Sequence, residues 1–269
     1  MRPAAEHIVR LHRGMIHSGS LVLVNREHPI AEHYRPDDIV PVTTIQQAGT
    51  EESQIRLHRT GYRQLNALLE ASHAAGSIGI VSGYRTLAQQ KHIYDSSLEE
   101  HGAAFTASYV ARPNESEHQT GLAVDVGQLR DDVDYLCPSL PDHGVYASFK
   151  QLAAEFGFIQ RYKEGKEAIT NIACEPWHYR YVGVPHAIIM ENYDLCLEEY
   201  IVYMKQFAFE GTHLYMKVKQ HLIEIYAIDV ADEGETLIPI RSGSRYEWSG
   251  NNTDGFIVTI FHDLGKVIQ

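Results

Sequence analysis

Apolar and polar positions along the chain alternate in two distinct rhythms. Leu65, Leu68, Leu69 and Ser72 fall at i, i+3, i+4 and i+7, the stripe of an amphipathic helix within residues 55–75, and Gly76 supplies its stop. Ile78, Ile80 and Val81 then form a short β-branched run ending at Ser82-Gly83, and Thr86-Leu87-Ala88-Gln89 has the form of a capping box that opens a new helix. Tyr84 and Arg85 therefore sit at a strand-to-helix turn. Residues 122–126 predict a second short strand, and residues 146–156 predict a helix with Phe149, Leu152, Ala153 and Phe156 on one face, ended by Gly157. Residues 177–182 alternate as a strand, with His178, Arg180 and Val182 on one face, and Pro185 opens a helix running to about Lys205.

The two ends of the chain read differently. Residues 1–19 are rich in His and Arg without a clear period and predict an irregular or loosely docked helical arm. Residues 20–24 read as a short strand, followed by extended chain at Pro29, Pro36 and Pro41. Beyond residue 207 strands dominate, at 222–230, 236–240, 245–248 and 256–261, with Asn251-Asn252-Thr253-Asp254-Gly255 as a turn. The expected organisation is an arm at 1–19, a main α+β domain at 20–206 and a small all-β module at 207–269. No fixed period of repeats appears.

Composition and charge narrow the class. With 44% hydrophobic and 22% charged residues over 269 positions, the chain can bury a sizeable core, which excludes disorder and low complexity. Lys and Arg number 23 against 35 Asp and Glu, so the net charge is 23 − 35 = −12. That balance offers no attraction to phosphate backbones or anionic lipid, and nucleic acid is not an expected partner. The longest apolar stretches, such as 256–261, fall far short of the roughly 20 residues that span a bilayer, so no transmembrane segment is expected. The first 30 residues lack the apolar core of a secretory signal, so the chain reads as cytoplasmic or as one whose leader has been removed. Cys137, Cys174 and Cys196 are too few for a disulfide framework and form no CxxC pair.

Two segments carry candidate chemistry. Ser116-Glu117-His118-Gln119-Thr120-Gly121-Leu122-Ala123-Val124-Asp125-Val126 sets an imidazole and a carboxylate seven residues apart, across a glycine turn that leads into a strand. Glu175-Pro176-Trp177-His178 adds a second imidazole with a carboxylate three residues before it, in a loop because Pro176 disfavours helix at Glu175. Two His and one Asp make a three-ligand set that suits Zn²⁺ and leaves its fourth position open, as catalytic zinc sites do. Spacing alone is a weak signal, since 16 His and 35 acidic residues generate many accidental pairs.

The wording of three segments together is specific. Ser82-Gly83-Tyr84-Arg85-Thr86, Ser116-x-His118-x-x-Gly121-x-Ala123-x-Asp125 and Glu175-Pro176-Trp177-His178-Tyr179-Arg180-Tyr181-Val182-Gly183 resemble the VanY-type zinc D,D-carboxypeptidases. The resemblance runs in order over roughly residues 20–200, and a weaker likeness continues through Arg245-Tyr246-Glu247-Trp248-Ser249-Gly250-Asn251-Asn252. It implies an α+β fold with a central antiparallel sheet and flanking helices, shared with the Hedgehog-type zinc domains. It also implies one zinc ion on His118, Asp125 and His178, with Glu175 as general base. Arg85 would contact substrate beside the metal, at a carboxylate or a developing oxyanion, while Gln90 and Ser116 would help hold the terminal D-Ala carboxylate and Trp177 would line the pocket. The implied substrate is a peptidoglycan stem peptide ending in D-Ala-D-Ala, which the family meets outside the cytoplasmic membrane. Alternatives are a D,D-dipeptidase or an endopeptidase of the same family, or a non-catalytic zinc-stabilised binding module, against which the presence of Glu175 and Arg85 argues.

Overall fold

The computed structural model describes residues 6–31, 34–42, 54–130, 132 and 134–263. In chain order the strands are β1 (Glu6–His12), β2 (Ile39–Pro41), β3 (Arg56–His58), β4 (Ile78–Ser82), β5 (Ala123–Gln128), β6 (Phe158–Gln160) and β7 (His178–Tyr181), then β8 (Leu214–Val218), β9 (His221–Asp229), β10 (Glu235–Arg241), β11 (Arg245–Gly250) and β12 (Gly255–Asp263). The helices are α1 (Arg59–Ala71), α2 (Leu87–Tyr109), α3 (Gly144–Leu152), α4 (Glu167–Thr170), α5 (Val184–Asn192) and α6 (Leu197–Met204). These elements form two units, one from Val24 to Cys196 and one that joins the described residues up to Leu23 with those from Leu197 onward.

In the first unit β4, β5, β7 and β6 lie side by side in that order as an antiparallel sheet, the central sheet that the family resemblance implies. Its register does the chemical placing. Asp125 pairs with Ser82 across β4 and with His178 across β7, and an irregularity between Ile80 and Ser82 re-aims the end of β4 at that point.

The stripe of α1 is buried as expected: Leu65, Leu68 and Leu69 pack with Ile78, Val124, Val126, Phe149, Phe158 and Tyr179. The helix is shorter than the predicted span. His58 caps it, its Nδ1 accepting from the Thr60 N–H at 3.3 Å, and β3 occupies the residues before. At the other end the left-handed residue is His73 (φ 56°), not Gly76, because the Ser72 hydroxyl folds back onto Leu68 O at 2.7 Å and closes the last turn there. Leu68 is fully buried, so Leu68→Ala is expected to lower unfolding free energy by about 2–5 kcal/mol, measured by denaturant titration.

The capping box of α2 forms: Thr86 Oγ1 accepts from the Gln89 N–H and Gln89 Oε1 accepts from the Thr86 N–H at 2.8 Å. The predicted 146–156 helix is α3 followed by a tighter turn over Ala153–Phe156, with Gly157 as its stop. The helix expected from Pro185 to about Lys205 is interrupted. α5 ends at Asn192, and Asp194 turns left-handed (φ 48°), a conformation its short polar side chain tolerates, while accepting from Lys163 at 3.3 Å.

The second unit holds the antiparallel sheet β11-β12-β9-β8 and the pair β1-β10. Residues 6–12 are thus a strand rather than a helical or irregular arm. Val9 and Leu11 alternate inward and pack with Tyr226, Ile238, Ile240 and Phe256. The predicted strand at 20–24 makes no ladder. Leu21, Val22 and Leu23 are buried, but the Leu21 N–H donates to Ser249 Oγ and the Leu23 N–H to Asn251 O, each a single bond on extended chain. The expectations for residues 1–5 and 264–269 lie outside the described residues. Among the described residues, no helix is long and apolar enough to cross a membrane.

Candidate active site

Arg85, Gln90, Ser116, His118, Asp125, Glu175, Trp177 and His178 line one polar cleft. The glycine turn explains how the first segment reaches it. His118 lies in a short turn over Glu117–Thr120 that Gly121 ends in the left-handed region (φ 74°), and β5 then carries Asp125 back beside His118. β7 delivers His178 to the same point from the other side of Asp125.

The donor atoms converge. One ligand atom each from His118, Asp125 and His178 lies within 4.8 Å of the others, and all three residues are buried. His118 Nδ1 donates to Gly83 O at 2.7 Å, which leaves Nε2 free at 3.2 Å from Asp125 Oδ2. Gly83 must be bare: a Cβ there would meet Arg56 O at 2.4 Å. His178 Nδ1 is 3.0 Å from Asp125 Oδ1, yet that oxygen is buried without a hydrogen-bond partner. Lone pairs aimed at one point and a buried unpartnered carboxylate oxygen are what a divalent cation would satisfy, so these residues fit a zinc ion.

The charges around the three are arranged tightly. Arg85 Nη2 donates to Asp125 Oδ2 at 2.8 Å and its Nε to Ser82 Oγ at 2.9 Å. Gln90 is buried and holds that guanidinium: Oε1 accepts from Arg85 Nη1 at 3.4 Å, and Nε2 donates to Ala111 O at 2.8 Å. Glu175 Oε2 stands 3.6 Å from His178 Nδ1. Burial works against the Asp125 carboxylate, but His118 and His178 outweigh it and hold its pKa well below the usual range. Burial, reinforced by Arg85, lowers the pKa of His118. Burial also opposes charge on His178, yet the carboxylates of Asp125 and Glu117 prevail and raise it to about 9. For Glu175 burial dominates and pushes the carboxyl up to about 8.

Some neighbours of the site were not foreseen in the sequence. Ser82 braces Arg85, and a buried ion triad of Glu117, Arg161 and Arg180 lies behind His178. The alternation of β7, which puts Arg180 on the face of His178, was the available signal for one of them.

Known proteins are similar to this chain in sequence and fold. Residues 54–184 match the family model described as VanY, D-alanyl-D-alanine carboxypeptidase. The chain is 38% identical over 188 residues to the bifunctional D-Ala-D-Ala dipeptidase and D-Ala-D-Ala carboxypeptidase VanXYC of Enterococcus gallinarum, a match that covers 70% of this chain and 96% of that protein. It is 32% identical over 252 residues to a D-alanyl-D-alanine carboxypeptidase of Enterococcus faecium, covering 91% of this chain and 76% of the relative. The crystal structure of the vancomycin-resistance D,D-dipeptidase VanXYg with a D-Ala-D-Ala phosphinate analog matches with a TM-score of 0.89 at 39% identity, over 96% of this chain and 100% of that one. VanY from the VanB-type resistance cassette, in complex with Zn(II), matches with a TM-score of 0.56 at 34% identity, over 68% of this chain and 98% of that one. The chain belongs to the VanY family of D-alanyl-D-alanine carboxypeptidases.

Proposed function

We propose that the protein is a zinc-dependent D,D-carboxypeptidase that removes the terminal D-Ala from stem peptides ending in D-Ala-D-Ala, which would take away the terminus that glycopeptides such as vancomycin bind. The observation that carries this reading is the Glu175 carboxylate held 3.6 Å from a buried His118, Asp125, His178 set. When bound there, the metal would lower the pKa of a water and polarise the scissile carbonyl. Glu175 takes the proton from that water as its oxygen bonds to the carbonyl carbon. It returns the proton to the amine nitrogen as the C–N bond breaks, so the products are the shortened peptide and free D-alanine. Ser116, Gln90 and Trp177 line the cleft where the terminal residue would lie.

Arg85 is assigned to the developing oxyanion, because its guanidinium is fixed by Ser82 and Gln90 beside Asp125, one of the three residues that would hold the metal. A lysine ammonium has no planar fork with which to hold Asp125, Ser82 and Gln90 together. Arg85→Lys is therefore expected to lower kcat by roughly 10²–10³-fold, read in steady-state D-alanine release.

A second activity, hydrolysis of free D-Ala-D-Ala, is favoured by the whole-length likeness to VanXYg and the identity to bifunctional VanXYC. The test follows D-alanine release by zinc-loaded protein from a stem pentapeptide ending in D-Ala-D-Ala and from the free dipeptide. Release from the pentapeptide alone supports the carboxypeptidase, and release from both supports the bifunctional enzyme. Release from neither, with zinc bound, would sink the proposal and favour a binding module.

A further inference from the structure

We infer that Glu117 is a positioning residue for the metal site: its Oε2 takes the Nε2–H of His178 and so turns Nδ1 to the metal, while Arg161 and Arg180 fix the carboxylate. This rests on the zinc reading above and extends it to residues that touch neither metal nor substrate.

The geometry is asymmetric in a telling way. Arg161 Nε donates to Glu117 Oε1 at 2.8 Å and Arg180 Nη1 to the same oxygen at 2.7 Å, with all three side chains fully excluded from solvent. The other oxygen, Oε2, is buried without a hydrogen-bond partner, and so is His178 Nε2. The two unpartnered atoms face each other at 3.7 Å, just outside hydrogen-bond reach. Ligation of Nδ1 requires the ring proton on Nε2, and a proton there has this oxygen in front of it. Metal-binding imidazoles characteristically donate their second N–H to a carboxylate or a carbonyl. His118 already does so to Gly83 O, and Glu117 supplies the counterpart for His178.

The backbone also ties the triad's two arginines to His178. Arg180 is two residues further along β7 on the same face, and the Arg161 N–H donates to His178 O at 3.0 Å. Glu117 is the chain neighbour of His118, so one carboxylate couples the placement of both imidazole ligands. A fully buried ion triad is a poor device for stability alone, since well-packed apolar groups often do as well. Its free oxygen aimed at a ligand ring is what a stabilising role leaves unexplained.

The test measures zinc affinity by competition with a chromophoric chelator in the wild type and in Glu117→Gln, together with thermal unfolding of both metal-free proteins. Glu117→Gln is expected to bind zinc roughly 10–100-fold more weakly. A variant less stable than wild type but with the same zinc affinity would show a purely structural triad and overturn the inference alone. Wild type that takes up no zinc would overturn the metal reading and the inference together. Nitrogen NMR of His178 in the zinc-loaded wild type decides the matter even where the variant fails to fold. Metal on Nδ1 with a slowly exchanging Nε2–H supports the inference, and metal on Nε2 overturns it.

Discussion

Stripping the metal with a strong chelator is expected to abolish D-alanine release while leaving the 24–196 unit folded. Activity should go because no other group in the cleft can both acidify a water and polarise the carbonyl. The unit should stay folded because each buried anion of the ligand region keeps a cationic partner. Asp125 has Arg85 at 2.8 Å and His178 at 3.0 Å, and Glu117 has Arg161 and Arg180. In the metal-free protein the raised pKa of His178, about 9, keeps a proton on the ring, and that proton must leave before Nδ1 can bind metal. Apparent zinc affinity should therefore fall roughly tenfold for each pH unit below about 9, as one proton competes for the site. The sign for stability is the opposite of that for affinity. A histidine raised above its unfolded value stabilises the metal-free fold fully below about 6.5, and this contribution is lost as pH rises through about 9. Chelator titrations at several pH values with circular dichroism in parallel check both halves. Full turnover in protein shown to be free of metal would remove zinc from the mechanism.

Much of this site was legible because its residues are local in sequence. His118 and Asp125 are bound by one turn and one strand, and Glu175 and His178 by one loop, so the motif carries most of the geometry. Legibility failed where distant chain decides. β1 gave no strand signal of its own, because its partner β10 lies more than 220 residues away and only that pairing makes Val9 and Leu11 an inward face. The end of α1 was misplaced because a hydroxyl bond from Ser72 and a left-handed His73 close the helix before the glycine that favours such a turn. Glu117, Arg161 and Arg180 read as ordinary charged residues, and a buried triad is visible only once the fold brings together side chains 44 and 63 positions apart. Gln90 shows a subtler gap. Its place in the cleft followed from the motif, but not that its amide would brace Arg85 and Ala111 O.

Glu175→Ala is expected to lower D-alanine release by about 10²–10⁴-fold, the usual worth of a positioned proton acceptor. Zinc affinity should change little, because among the described residues the converging ligand atoms come from His118, Asp125 and His178. Glu175→Gln sharpens the test: it keeps size and polarity and removes only the capacity to take a proton, so a comparable loss assigns the effect to proton transfer rather than to packing. The pH profile supplies the independent readout. Burial pushes the Glu175 carboxyl up to about 8 in the metal-free protein, and a cation held by the neighbouring ligands favours its ionised form and draws that value down. Activity of the loaded enzyme should thus rise with pH along a limb centred below about 8 that reports Glu175, and the residual activity of Glu175→Gln should lack that limb. If Glu175→Ala kept more than a tenth of the wild-type rate with zinc bound, the proton would have to go to another group. Arg85 is engaged with Asp125 at 2.8 Å and His178 would be held by the metal, so neither can replace the carboxylate.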